Sequence, residues 1–166
     1  MFKVSRKSEY ALIAVQHLAR AQPDRVVSVA DLAGQTQVPS DVLAKVLQGL
    51  KRAGVVRAVK GAGGGYGLAR APSDIRFLDV VQPFEDTLAV VSCQMPSHDC
   101  ERSETCSLRD PMAVLNAFVL RQFDGLTMDL FVAPHHWLIS GGRSAAPAND
   151  TSLARRLRQG EAAALR

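Results

Sequence analysis

Apolar residues in the first third of the chain recur at steps of three and four, which is the spacing of one face of an α-helix. The pattern predicts three helices, over residues 8–21, 28–34 and 40–53. Ser28 and Ser40 stand at the expected N-caps, and Gly34 and Gly54 stand where the second and third helices are expected to end. Two helices joined by so short a turn are typical of a helix-turn-helix.

The third predicted helix has two faces. Its apolar face consists of Leu43, Val46, Leu47 and Leu50. The other face carries the candidate DNA contacts Ser40, Asp41, Ala44, Lys45, Gln48 and Arg52. A lysine donates to guanine, a glutamine amide matches adenine, and a carboxylate accepts from the amino group of cytosine. An ordinary solvated helix face is the alternative, and the pattern alone leaves the two interpretations about even.

A β-branched run over residues 55–60 is followed by a glycine-rich stretch, 61–65, and then by a second short apolar run. This pattern predicts a two-stranded hairpin with a glycine-rich tip. A nucleotide phosphate loop fits poorly, because no Gly-Lys-Ser/Thr follows the glycines and no strand-to-helix context exists. A wing that touches the DNA backbone fits better, with the candidate contacts Arg57, Lys60, Gly63, Gly64 and Tyr66.

The rest of the chain predicts a helix capped by Ser73 and ended by Pro83, a polar loop over residues 92–107, a long amphipathic helix, and a helical turn capped by Thr127. From residue 140 onward small and polar residues dominate, which favours a flexible tail. The predicted organisation is a winged helix-turn-helix domain, a cysteine loop, a dimerisation helix region and a C-terminal extension, over residues 1–82, 83–107, 108–132 and 133–166.

Composition favours a folded globule, with 47% hydrophobic and 22% charged residues. No apolar run approaches the roughly 20 residues of a membrane span, and the N-terminus lacks signal-peptide features, so a cytoplasmic protein without membrane contact is expected. The net charge of +4 is uneven. Residues 1–80 carry twice as many Lys and Arg as Asp and Glu, whereas residues 81–140 are acidic. The basic half is the candidate polyanion-binding face.

All three cysteines, Cys93, Cys100 and Cys106, lie in the polar loop. An odd number of cysteines in a cytoplasmic protein does not fit a disulfide framework, and no Cys-x-x-Cys is present for thiol exchange. Metal ligation fits better, and the chemistry alone leaves iron-sulfur and zinc comparable, with free reactive thiols close behind. No nucleophile-base pair or paired carboxylates stand out, so an enzyme is not expected.

The order of helix-turn-helix, glycine-rich wing (59–68), three-cysteine loop and long helix resembles the Rrf2 family of transcription regulators, in particular its IscR/NsrR-like iron-sulfur sensors. The resemblance covers residues 1 to about 132. It implies a mainly α winged helix-turn-helix fold with a small β-hairpin. It further implies a homodimer that binds a dyad-symmetric operator in double-stranded DNA, and an iron-sulfur cluster held by the three cysteines, 4Fe-4S rather than 2Fe-2S.

Within this resemblance, the nitric-oxide-sensing branch places an acidic cluster ligand just before an aromatic residue early in the first helix, where this chain has Glu9 and Tyr10. The resemblance thus implies Glu9 as a fourth ligand, donated to the cysteine loop of the other subunit. His98, a solvent molecule, or a purely helical role for Glu9 are the alternatives. The iron-sulfur assembly branch has a histidine at the position of Arg109, which weakens that comparison.

The implied function is a repressor whose operator affinity is switched by a cluster that senses nitric oxide, redox state or iron-sulfur status. The competing hypothesis is a zinc-stabilised or thiol-bearing protein-interaction module that binds no nucleic acid. It explains the cysteines but leaves the basic wing unexplained.

Overall fold

The computed structural model describes residues 4–21, 25–95, 98 and 100–132. They contain six α-helices and two strands: α1 (Arg6–Arg20), α2 (Val29–Thr36), α3 (Ser40–Arg52), β1 (Val56–Val59), β2 (Gly65–Leu68), α4 (Phe77–Val81), α5 (Arg109–Asp124) and α6 (Asp129–Val132). Short 3-10 turns occur at Pro72–Asp74, Gln82–Phe84 and Ser92–Gln94. No helix among these residues is both long and apolar enough to cross a membrane. The predictions for the extension after residue 132 lie outside the described residues.

α1 begins earlier than its apolar pattern predicts, because Ser5 caps it. The Ser5 hydroxyl accepts from the backbone N–H of Ser8 at 3.3 Å, which satisfies one of the free donors of the first turn. The buried face of the helix consists of Ser8, Ala11, Ala14, Val15 and Leu18. α1 packs against α3, and the two alanines on its buried face take up little space.

The predicted start of α2 agrees with the structure, but its predicted end and the predicted N-cap of α3 are wrong. Ser28 caps α2 as expected, with its hydroxyl 3.1 Å from the N–H of Asp31. Gly34 does not end the helix, because Gln37 adopts the left-handed conformation (φ 58°) and its side-chain amide donates to the Gly34 carbonyl at 2.7 Å. Ser40 is the first helical residue rather than the N-cap, since Pro39 holds the N-cap position.

The core forms where α1, α2, α3 and the hairpin meet. Leu43, Val46, Leu47 and Leu50 of α3 are buried as the apolar pattern predicts. They pack with Val15, Leu18, Leu32, Val55, Val56, Ile75, Val80 and Met128. Burying this many aliphatic side chains orients α3 uniquely, so that its polar face must point outward.

β1 and β2 pair antiparallel, from Val56 opposite Leu68 to Val59 opposite Gly65. The tip needs glycine at position 61 (φ 110°) and position 63 (φ 79°), conformations that other residues rarely adopt. Val27 and Tyr66 exchange two backbone hydrogen bonds of 2.9 Å, which tie the hairpin to the start of α2. The predicted fold class, mainly α with a small hairpin, agrees with this architecture.

The segment after the hairpin differs from the prediction. Ser73 lies in a 3-10 turn and does not cap a helix, because α4 begins at Phe77 with Arg76 as its N-cap. The carboxylate of Asp79 accepts from the Arg76 backbone N–H at 3.2 Å and so closes the first turn. Phe77 donates its N–H to Leu126 at 2.8 Å, which joins α4 to the end of α5.

Candidate nucleic-acid interface and cysteine loop

The outward face of α3 presents the predicted DNA contacts. Ser40, Asp41, Lys45, Gln48 and Arg52 are exposed, and Ala44 is half-buried. In the part of the chain that the structure describes, no hydrogen bond or ion pair involves the side chains of Lys45, Gln48 or Arg52. Their donors and acceptors are therefore available to base edges and phosphates.

The predicted wing contacts separate into two groups. Lys60 and Gly63 are exposed at the tip. Tyr66 is half-buried and packs against the core, and Arg57 donates from Nε to the Leu68 carbonyl at 3.3 Å. A Cβ on Gly64 would lie 2.9 Å from the Gly61 carbonyl oxygen, so this glycine is needed for the turn itself. Lys60 is thus the wing side chain best placed to hold a phosphate.

One cation of this surface is missing from the sequence-based prediction. Lys7 of α1 is exposed and lines a recess with Lys45 and Arg52 of α3, which Glu85 and Asp86 also border. Its charge was visible in the sequence, but its place beside α3 depends on how α1 packs across α3. Lys7 extends the basic surface from α3 to the N-terminal turn of α1.

The cysteine loop consists of successive tight turns. Its backbone closes turns from Ser92 to Met95 at 2.9 Å, from Cys100 to Ser103 at 2.9 Å and from Cys106 to Arg109 at 3.2 Å. Cys93 and Cys106 are exposed, Cys100 is half-buried, and all three thiols are free. No group of three or more His, Cys, Asp or Glu side chains close enough to hold a metal ion occurs among the described residues. The structure therefore does not bring the three cysteines together.

The donor set nevertheless fits an iron-sulfur cluster in its chemistry. Three unpaired thiols on one short segment supply the soft ligands that such clusters need. From Ser92 to Arg109 the described side chains are exposed or half-buried, so the segment can rearrange without opening the core.

Both candidates for the fourth ligand are exposed. Glu9 lies in the first turn of α1, where it borders a surface recess with Val4, Ser5 and Arg6. His98 lies inside the cysteine loop and donates its backbone N–H to Met95 at 3.0 Å. Neither forms a ligand group with the cysteines within the described part of one chain.

α5 has an apolar face that the described part of the chain does not cover. Leu108, Val114, Leu115 and Phe118 are 59%, 68%, 40% and 53% exposed. Large apolar residues that are this exposed and lie in succession along one helix mark an interaction surface.

The sequence matches the Rrf2 family, described as iron-dependent transcriptional regulators, over residues 4–134. The chain belongs to the Rrf2 family. An HTH-type transcriptional regulator of Aquifex aeolicus (strain VF5) is 34% identical to this Rrf2 protein over 121 residues, which are 72% of this chain and 83% of that one. The regulator IscR of Cereibacter sphaeroides is 38% identical over 88 residues, 52% of this chain and 57% of IscR.

Among solved structures, CymR, the global cysteine regulator of B. subtilis, has the same fold as this Rrf2 protein. The TM-score is 0.62 at 24% identity, and the match covers 80% of this chain and 97% of CymR. The family and the winged helix-turn-helix fold that the sequence predicted are confirmed. The protein is a DNA-binding transcriptional regulator.

Proposed function

We propose that this Rrf2 regulator binds a dyad-symmetric operator as a homodimer and represses transcription, and that an iron-sulfur cluster on Cys93, Cys100 and Cys106 changes its affinity for DNA. The observation that carries this proposal is the separation of the two parts: the free thiols lie on one segment of turns, apart from the core that orients α3. Ligands on that segment can change its conformation while the DNA-reading domain stays folded.

The choice of an iron-sulfur cluster is supported by the thiol chemistry and by the similarity to IscR. When bound, the cluster would supply an iron that exchanges a ligand or changes its oxidation state in response to nitric oxide, redox state or iron supply. We favour a 4Fe-4S cluster, as the resemblance implies.

Glu9 is the proposed fourth ligand, donated in trans. In the described part of one chain no set of ligands closes around the cysteines, and Glu9 is exposed on a different element. A carboxylate is a harder ligand than a thiolate and exchanges more readily, which leaves one iron open to a small molecule such as nitric oxide.

The proposed dimer pairs the exposed apolar face of α5 with the same face of a second copy. An interface of this kind is self-complementary under a two-fold axis, and the axis brings two α3 helices to two half-sites of DNA about one helical turn apart. In this arrangement residues 1–82 bind DNA, residues 83–107 hold the cluster and residues 108–132 dimerise.

The test compares the anaerobically purified protein with three variants, Cys93→Ser, Cys100→Ser and Cys106→Ser, and with the matched control Ser107→Ala in the same loop. We expect a brown wild-type protein and a brown control, most of the iron lost in each cysteine variant, and operator binding that no longer responds to nitric oxide or oxidation. A colourless wild-type protein that contains zinc would support a structural zinc site instead. The alternative of a module without nucleic-acid binding has no support from the comparisons, because the family consists of transcriptional regulators.

A further inference from the structure

Residues 83–86, which we call the stem, connect the DNA-binding part to the segment that carries the cysteines. Two adjacent stem residues contact different helices of the DNA-binding part. Phe84 packs on α3 at Gly49, and Glu85 is hydrogen-bonded to α1 at Ser5 and Ser8. The stem therefore contacts both α1 and α3, the two helices whose Lys7, Lys45 and Arg52 line the recess described above.

The contact between Phe84 and Gly49 is tight. A Cβ built on Gly49 would lie 2.6 Å from Cε1 and 2.8 Å from Cζ of the Phe84 ring, distances that real side chains do not tolerate. The ring thus fills the space in which any larger residue at position 49 would stand. Gln48, the residue before Gly49 in α3, is exposed. A ring that shifts toward the helix meets the backbone of α3 directly, because Gly49 has no side chain between them.

The contact between Glu85 and α1 is polar and partly buried. Ser8 is fully buried, and its hydroxyl donates to the Glu85 carboxylate, while the N–H of Ser5 donates to the same oxygen at 2.8 Å. Partial burial raises the pKa of Glu85, but the hydrogen bonds from Ser8 and Ser5 outweigh it, so the net pKa lies below its usual value. The carboxylate is therefore ionised at neutral pH and fastens the stem to the first turn of α1.

The chain that follows the stem is also anchored at its far end, next to the cysteine loop. Ala89 is buried, and the backbone N–H of Val90 donates to the side chain of Asn116 in α5 at 2.8 Å. The cysteine-bearing turn Ser92–Gln94 follows directly. A displacement of that turn is thus passed on through a short segment anchored at both ends, and is not absorbed by a long flexible linker.

We infer that Phe84 and Glu85 position α3 for DNA binding and couple the cysteine loop to it, Phe84 through Gly49 and Glu85 through α1. The coupling to the loop rests on the proposed function, whereas the positioning of α3 does not. Lys45 and Arg52 line the same recess as Phe84 and Glu85, so the stem borders the DNA-facing cations directly. A small change at the stem therefore alters the angle at which these cations meet phosphates.

The first experiment is a double-mutant cycle on the apo protein with Gly49→Ala, Phe84→Ala and the double variant, measured as operator affinity by fluorescence anisotropy. Gly49→Ala is expected to weaken binding about tenfold, because the new methyl group displaces the ring or the helix. Phe84→Ala should also weaken binding, and the double variant should bind no more weakly than Phe84→Ala alone, since the ring that the new methyl group meets is gone. Gly34→Ala is the matched control, since a Cβ there meets nothing within 4 Å, and it should bind as the wild type does.

The second experiment compares cluster-loaded and apo forms of the wild type, Phe84→Ala and Phe84→Leu. In the wild type the two forms should differ in operator affinity by at least about fivefold, and in Phe84→Ala by less than about twofold, with iron content and visible absorbance unchanged. Phe84→Leu should restore part of the difference. Hydrogen exchange of the α3 amides, measured without DNA, should respond to cluster loading in the wild type only.

The outcomes separate the two proposals. If Phe84→Ala keeps the full wild-type difference between loaded and apo forms, the stem does not couple the loop to α3, and the proposed function stands. If Gly49→Ala and Phe84→Ala are simply additive in the apo protein, the positioning of α3 by the ring is wrong. If the wild type binds no iron, the proposed function fails, while the double-mutant cycle still decides whether Phe84 positions α3.

Discussion

Arg76 and Asp124 form an ion pair of 2.7 Å that joins the N-cap of α4 to the last residue of α5. Arg76 also pairs with Asp79 at 3.0 Å, and Asp79 pairs in turn with Arg70 at 3.1 Å. The network fastens the long exposed helix to the DNA-binding part at one end. The two aspartates of the network differ in burial, because the side chain of Asp79 is 15% exposed and that of Asp124 is 51% exposed.

Asp79→Asn is expected to lower the free energy of unfolding by about 1 kcal/mol, because its carboxylate closes the first turn of α4 as well as pairing with two arginines. The matched variant Asp124→Asn should change it little, since an exposed ion pair is screened by solvent. Urea unfolding of both variants measures the difference. Equal losses in the two variants would contradict this ranking.

The contribution of Asp79 depends on pH with a definite sign. Partial burial raises the pKa of Asp79. The hydrogen bonds from Arg76 and Arg70 lower it by more than burial raises it, so the pKa in the folded state lies below the pKa in the unfolded state. The stabilisation is therefore complete above the unfolded pKa of about 3.9 and is lost as the pH falls through the folded value. The gap in stability between wild type and Asp79→Asn should be constant near neutral pH and should shrink below about pH 4. A gap that widens on acidification would refute this assignment.

Gln48→Ala and Lys60→Ala should affect DNA binding in different ways. In the proposed complex Gln48 faces base edges, so its loss should relax the preference at one operator position by about 1–3 kcal/mol. Lys60 lies at the wing tip, so its loss should weaken binding to all sequences alike. The slope of log binding constant against log salt concentration should become shallower by about 1. Binding to a set of single-base operator variants at several salt concentrations checks both. An unchanged preference in Gln48→Ala would show that α3 meets DNA with another face.

Phe118→Glu should convert the proposed dimer to monomers. The side chain of Phe118 is 53% exposed in the middle of the apolar face of α5, and a buried carboxylate would face its own copy across a two-fold axis. Sedimentation analysis measures the oligomeric state, and Gln35→Glu on α2 adds the same charge at an exposed position elsewhere. A Phe118→Glu protein that remains dimeric would place the interface on another surface.

Glu9→Ala tests the fourth ligand. Its cluster should show an altered visible spectrum and faster loss of iron, whereas a purely helical role predicts a small loss of stability and an unchanged spectrum.

Subunit mixing tests whether the ligand acts in trans. Mixing Glu9→Ala with Cys100→Ser subunits should restore one complete site per mixed dimer, because the first subunit keeps its cysteines and the second keeps its Glu9. Without such complementation the ligand does not come from the other subunit, and an unchanged spectrum in Glu9→Ala would turn attention to His98 or solvent.

The sequence determined the elements whose causes are local. The spacing of Leu43, Val46, Leu47 and Leu50 settles both that α3 is a helix and which side is buried, because one apolar stripe can pack in only one way. The hairpin follows from a β-branched run and glycines at positions that need positive φ. The family was recognisable from the wing glycines and the cysteine triplet, since each of these motifs lies within a short stretch of sequence.

Helix boundaries were predicted less well, because several residues can serve as a cap or a stop and the surrounding structure selects among them. Gly34 is a residue type that often ends helices, yet the helix continues to Thr36. Gln37 adopts the left-handed conformation instead, and its side-chain amide donates to the Gly34 carbonyl. Ser73 is a residue type that favours an N-cap, yet Arg76 is the N-cap of α4. The backbone N–H of Phe77 donates to the carbonyl of Leu126, and the Asp79 carboxylate closes the first turn.

Only the tertiary structure decided which distant residues meet. Ser8 looks like an ordinary helix serine in the sequence, but it is buried because Glu85 supplies the partner that its hydroxyl needs. Gly49 is an unfavourable residue inside a helix, and its reason is the Phe84 ring from another segment. Burial and close packing depend on how the chain folds back on itself, and a periodic pattern holds no information about the partner on the other side of a contact.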